Sequence, residues 1–189
     1  TSRTGYFSAT EIVTVLNYLK VCDNPLQDIP MAAVLASPIV GMDDEELAQI
    51  RVAFKGVSFA QAVLSAMAGE DGYEDEKLKA FAEVFERLRG AVADTPIHEL
   101  LYMILDETGF YRYASAMPAG KRRRQNIDML IEMATAYEKT SYKGLFHFVR
   151  YIDIQQKYEI DYGEADTAGE NDDVVRIMTI HKSKGLEFP

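Results

Sequence analysis

The residues whose types and spacing could do chemistry lie in "IMTIHKSKGLEFP", residues 177–189. Thr179, His181, Lys182, Ser183, Lys184, Gly185 and Glu187 crowd the carboxyl end of the apolar, β-branched run "VVRIMTI" and the polar loop after it. Such a run predicts a strand covered on both faces, and open α/β sheets bind ligands at the carboxyl ends of their strands. Each type has a physical use there. Thr179 and His181 can hydrogen-bond backbone phosphates. Lys184 can face a polyphosphate as a point charge, Gly185 lets the backbone approach closely, and Glu187 can accept from ribose hydroxyls. The competing reading is a surface loop with ordinary lysines and a histidine.

A second candidate is the basic run Lys121, Arg122, Arg123 and Arg124. Cations at a helix start oppose the helix dipole, which hints at a reason beyond stability. Other chemistry is poorly represented. No GxxxxGK[ST] loop is present, so no phosphate-cradling site is complete, and the chain is expected to hydrolyse no ATP alone. One cysteine and three scattered histidines (His98, His147, His181) make metal ligation an unattractive reading. No GxSxG elbow marks a nucleophile. The acidic stretch 164–173 lacks the spacing of a calcium loop and reads as a solvated linker.

The elements that must position these groups are helical for most of the chain. Ser8 and Glu11 have capping-box spacing ahead of Ile12, Val15, Leu16 and Leu19. Pro25 and Pro30 interrupt, and a short helix follows through Met31 to Leu35. Asp43 or Asp44 can cap a helix carrying Leu47 and Ile50, and Ser58 another through Leu64. A longer helix is predicted over about 74–92, with Leu78, Phe81, Phe85 and Leu88 at spacings of three and four. Thr95-Pro96 reads as the start of a helix lined by Leu100, Leu101, Ile104 and Leu105, ending at Gly109. Ile127, Leu130, Ile131, Ala134 and Tyr137 form the next stripe. Ser141 opens a helix carrying Leu145, Phe148, Val149 and Ile152. Because a lone buried strand is not stable by itself, the terminal strand looks borrowed from a larger domain, and the chain reads as a piece of a longer protein.

Composition bounds the rest. The 189 residues are 48% apolar and 26% charged, with net charge −10. The balance argues against whole-surface nucleic-acid binding but leaves room for a local patch. The acidic clusters at 43–46, 70–76 and 164–173 read as solvated faces or loops. No run approaches the roughly 20 apolar residues of a membrane helix. No secretory leader is visible, and the single Cys22 forms no internal disulfide, so the setting is expected to be cytoplasmic.

The string T-x-H-x-x-K-G-L-E-F-P resembles motif V of superfamily 1A DNA helicases, the UvrD/PcrA/RecB group, and in particular the A subunits of AddAB-type helicase-nucleases. Residues 5–51 are similar to the segment where the second RecA-like domain (2A) gives way to its helical insertion, 2B. "RRRQNIDMLIEMATAYE" resembles an insertion helix through Arg124, Asn126, Ile127 and Asp128. The resemblance implies a mainly α fold with a short C-terminal strand belonging to a RecA-like α/β domain. Residues 1–22 would end the first 2A segment, 23–170 form the 2B-like domain, and 171–189 return to 2A with motif V. It implies Thr179 and His181 on single-stranded DNA, and Lys184, Gly185 and Glu187 beside the ATP cleft. It also puts Gly41 and Met42 at a turn that grips duplex phosphates through backbone N–H groups in related helicases. Asp43 and the acids after it depart from that pattern and repel phosphate. Lys121, Arg122, Arg123 and Arg124 are further possible duplex contacts. The parent enzyme would use ATP and Mg2+, act on single-stranded and duplex DNA in double-strand-break repair, and pair with a B subunit. No cofactor is expected on this chain alone, and no membrane association. The rivals are a non-nuclease helicase of the same superfamily and a helical protein-interaction module without nucleotide chemistry.

Overall fold

A computed structural model describes residues 5–140 and 143–157. After a 3-10 turn at Tyr6–Ser8, the described residues form α1 (Thr10–Asp23), α2 (Asp28–Ala36), α3 (Asp44–Ala53), α4 (Phe59–Met67), a 3-10 turn at Glu70–Gly72, α5 (Glu76–Ala91), α6 (Ile97–Glu107), α7 (Phe110–Ala116), α8 (Gly120–Glu138) and α9 (Leu145–Lys157). No strand occurs among them, so the expected mixture of helices with a terminal RecA-like strand is corrected to an all-helical fold. A single strand leaves its backbone polar groups unpaired without a neighbour, and the described residues offer none. The run 174–180 itself lies outside the described residues.

The stripes at spacings of three and four became the core. Ile12, Val15, Leu16 and Leu19 are buried, as are Leu78, Phe81, Phe85 and Leu88, and Leu100, Leu101, Ile104 and Leu105. One continuous apolar cluster runs from Tyr6 to Ile152. The helix α1 is its hub, touching α2, α5, α8 and α9, while α3 and α4 pack with α2 and α6 and α7 pack with α8.

The helix starts were legible where the cap is local. Asp43 and Ser58 each close a reciprocal capping box, with Glu46 and Gln61, and Asp75 accepts from the Leu78 N–H. Two local caps failed. Ser8 does not cap α1, because its hydroxyl donates to the Gly5 carbonyl, and Glu11 turns inward instead of back. Thr95 does not cap α6; the Glu138 carboxylate, at the far end of α8, takes the Ile97 N–H. Pro30 falls inside the first turn of α2 rather than between helices, where its missing N–H costs nothing. The short α7 carries no stripe or cap that marks it in the sequence.

Asp28 supplies another distant cap: its Oδ1 accepts from the Ala60 N–H at 2.9 Å, 32 residues on. That bond, ahead of other contacts, holds the Asp28 carboxyl below the usual carboxylate range. A depressed folded pKa contributes stability that is present above the unfolded value and lost as pH falls through the folded one. Thermal melts of Asp28→Asn across the acid range are therefore expected to lose less stability on acidification than the parent chain. Equal acid sensitivity would refute the assignment.

Candidate nucleic-acid interface

The basic run opens α8, and the helix phase divides its members. Arg123 points to the interior. Its Nη1 donates to Glu11 Oε2 at 2.6 Å, and its Nε donates to the Pro118 carbonyl at 3.0 Å. Asn126, one turn later and fully buried, donates through Nδ2 to Glu11 Oε1 at 2.7 Å, while the Tyr6 hydroxyl donates to the Asn126 carbonyl at 2.9 Å. One carboxylate from α1 thus receives two donors from α8, 112 and 115 residues away in sequence. Burial and then the Glu11 charge push the Tyr6 phenol above its ordinary range, keeping it a proton donor.

Lys121, Arg122 and Arg124 are exposed. Lys121 and Arg124, three residues apart, share a helix face that continues to Asp128. Asp128 accepts from the Tyr111 hydroxyl at 3.1 Å. Beside this face lies an open groove of about 510 Å³ lined by Tyr102, Asp106, Tyr111, Arg112 and Asp128 with the apolar Leu105 and Ile131. Tyr102 is 57% exposed, and Arg112 is well exposed, loosely paired with Asp106 at 3.9 Å. Cations interleaved with an exposed aromatic suit nucleic acid, since cations meet phosphates and an aromatic face can stack a base. Tyr102 and Arg112 do not announce themselves in the sequence. They sit in different helices from the basic run, and only the packing of α6 and α7 on α8 brings them near it.

The joint before the basic turn is tightly built. Ala119 takes left-handed backbone, φ 60°, a conformation that costs an L-residue about 1–2 kcal/mol. At Gly120 an added Cβ would collide with the Ser115 carbonyl oxygen at the end of α7. Glycine is required there for close approach, so α7 fixes where α8 begins and where its cations stand.

The turn at Gly41 is arranged differently. Gly41 has φ 73°, and its N–H donates to the Ser37 carbonyl at 2.7 Å. The Met42 N–H donates to the Leu35 carbonyl at 2.9 Å, and the Asp43 N–H to Glu46 Oε2 at 2.8 Å. The Met42 side chain is buried. All three N–H groups are satisfied within the chain, so the turn in this conformation presents no backbone donor to a phosphate. Thr179, His181, Lys184, Gly185 and Glu187 lie outside the described residues. Among the described residues no three His, Cys, Asp or Glu side chains gather as a metal site would require. No helix there is long and apolar enough to cross a membrane.

Similarity to known proteins runs along the whole chain. A family model described as the UvrD-like helicase C-terminal domain matches residues 1–189. The A subunit of the ATP-dependent helicase/nuclease of Anoxybacillus flavithermus is 47% identical over 188 residues, covering 98% of this chain and 15% of that protein. The protein of the same name from Bacillus cytotoxicus is 47% identical over 190 residues, with the same coverage, and that from Oceanobacillus iheyensis 45% identical over 188. The chain spans about 15% of the length of these relatives. With the family model matched from end to end and close similarity to these helicase/nucleases across nearly all of its length, the chain belongs to the UvrD-like helicase C-terminal domain family.

Proposed function

We propose that this chain is the helical accessory lobe in the A subunit of an ATP-dependent DNA helicase/nuclease, and that it holds DNA through the exposed face of the first turns of α8. In the parent protein, residues 1–22 would close the first segment of the second RecA-like domain, 23–170 form the 2B-like lobe, and 171–189 lead back into that domain. Lys184, Gly185 and Glu187 would then border the ATP cleft, with Mg2+ accompanying the nucleotide, and Thr179 and His181 would touch single-stranded DNA. The parent would work in the cytoplasm in double-strand-break repair beside a B subunit. The names carried by the relatives favour this over a non-nuclease helicase.

The observation that carries the DNA contact is the placement of Lys121 and Arg124. Both are exposed on one face of α8, behind a joint set by Gly120, in a chain whose net charge is −10. Phosphate contacts release counterions, so each one steepens the fall of affinity with salt by about 0.9 in the log–log slope. In a salt titration with duplex DNA, Lys121→Glu/Arg124→Glu is expected to bind about tenfold more weakly and to lose about 2 from the slope. An unchanged slope would remove this face from the DNA path. Arg123 is the internal control: substituting it should lower stability before it changes the slope.

A further inference from the structure

The helix α9 is divided by its phase. Leu145, Phe148, Val149 and Ile152 are buried in the core, so the residues on the opposite side turn outward. Phe146, Arg150, Ile154 and Lys157 follow one another along that side at spacings of four, four and three. Phe146 is 51% exposed. A single exposed apolar side chain is ordinary, but the surroundings of this one are not. The Arg150 guanidinium lies over the Phe146 ring, 5.8 Å from its centroid, within cation–π range. The His147 ring stands edge-on to it, centroids 5.3 Å apart. The ring is flanked by its neighbours while half of the side chain stays open.

The charge around it has one sign. Residues 139–157 carry Lys139, Lys143, Arg150 and Lys157 against one acid, Asp153, in a chain whose net charge is −10. Asp153 is already paired with Lys20 of α1 at 2.7 Å. Lys143, Arg150 and Lys157 are exposed, and none of the three makes an ion pair among the described residues. The outer side of α9 thus offers uncompensated cations before and after an open aromatic ring.

We propose that this side of α9 is a contact for single-stranded DNA, with an unpaired base stacking on Phe146 and the flanking phosphates meeting Lys143, Arg150 and Lys157. The occupant follows from the two features together. Cations attract any polyanion, but an exposed aromatic face adds a gain only for a base that is not already stacked in a duplex. An acidic peptide would satisfy the cations and leave the face of Phe146 without a planar partner. The guanidinium on the ring is itself a surface on which bases stack. The inference rests on the reading that this chain handles DNA, but on none of the residues assigned to that task above: the α8 face is assigned to duplex phosphates, and Thr179 and His181 belong to another segment.

The probe is a fluorescent oligothymidylate, with two counterparts of the same length: a strand of abasic sites, which keeps the phosphates and lacks the bases, and a duplex. Binding to the intact 189-residue chain is read by anisotropy over a salt series, and the fold of each variant by thermal melting. Oligothymidylate is expected to bind more tightly than the abasic strand. Phe146→Ala should weaken oligothymidylate about tenfold and change the abasic strand and the duplex by less than about twofold. Phe146→Trp, which keeps a stacking face, should bind at least as tightly as the parent. Ile29→Ala, at an exposed apolar residue of α2, should shift affinity by less than about twofold. Arg150→Gln/Lys157→Gln should lower the log–log salt slope for the single strand by about 1.4, or about 0.7 for each phosphate contact. All these side chains are exposed, so melting temperatures should stay near that of the parent. Absence of oligothymidylate binding, equal binding of the abasic strand, full binding by Phe146→Ala, a loss in Phe146→Trp as large as in Phe146→Ala, an unchanged slope, or displacement by polyglutamate as readily as by unlabelled oligothymidylate would each overturn the proposal. The α8 assignment is read separately, from duplex binding by Lys121→Glu/Arg124→Glu, so failure of one leaves the other standing.

Discussion

Replacing Glu11 with alanine is expected to destabilise the chain by about 3 kcal/mol, at the lower end of what breaking a buried ion pair costs. For a domain of this size that is a fall in melting temperature of about 6–12 °C. The reason is what the deletion leaves behind. Glu11 is 4% exposed and accepts from both Arg123 and Asn126. Without it, the fully buried Asn126 amide loses the acceptor of its Nδ2, and Arg123, only 26% exposed, loses the carboxylate that balances its charge. Each group stranded in this way costs more than the net worth of the bond that was lost. Glu11→Gln retains an acceptor for Asn126 and is expected to cost clearly less. The double variant Glu11→Ala/Asn126→Ala should then be less destabilised than the sum of its parts, because the second change removes a group stranded by the first. Strict additivity of the two melting shifts would show that the residues do not act as a unit. The network also bears on function, since it is what locks the start of α8 against α1 and leaves Lys121 and Arg124 outward.

Phe148→Ala in α9 is the second large effect, expected at about 3–5 kcal/mol. Phe148 is 0% exposed. Its ring stands edge-on to Tyr137 of α8, centroids 5.3 Å apart, and lies 6.4 Å from Tyr151 on its own helix. Truncation removes the transfer free energy of the ring, leaves a cavity, and takes away aromatic pair energy beyond the buried area. The remaining attachments of α9 include the Lys20–Asp153 pair at 2.7 Å, whose Asp153 side is exposed, and ion pairs at the surface contribute little. The effect should therefore be local before it is global. Amide exchange is expected to show α9 losing protection ahead of α1 and α8. Loss of protection spread evenly over all the helices would refute that order.

Much of the architecture was legible because its causes are local. Apolar residues three and four apart declare the buried face of a helix whatever lies opposite, which is why the stripes of α1, α5, α6, α8 and α9 were all readable. Asp43 and Ser58 cap through bonds spanning three residues, well within what a string of letters shows. The expectations that failed needed information from far along the chain. Glu11 had the spacing to cap its own helix, but donors in α8 offered it two charge-assisted or buried bonds, and the interior won over the cap. Thr95 was displaced in the same way by Glu138. The terminal strand rests on residue types in a stretch outside the described residues, and the helices that are described supply no sheet for it.

By itself, the sequence determined the helical nature of the described residues, most helix boundaries, the buried stripes and the likeness to the helicase family. Those follow from short-range periodicity and from strings of residue types. Only the tertiary structure decided that Arg123 is internal while its neighbours Lys121 and Arg124 face outward, and that the Gly41 turn spends its N–H groups on its own chain. It alone showed that Lys77, next to the acidic run 70–76, bonds Glu46 of the run 43–46. The physical reason is that a helix sets the phase of its side chains only relative to one another. Which phase meets a partner, and whether a charge is neutralised or left to act on something else, depends on residues that approach only when the helices pack.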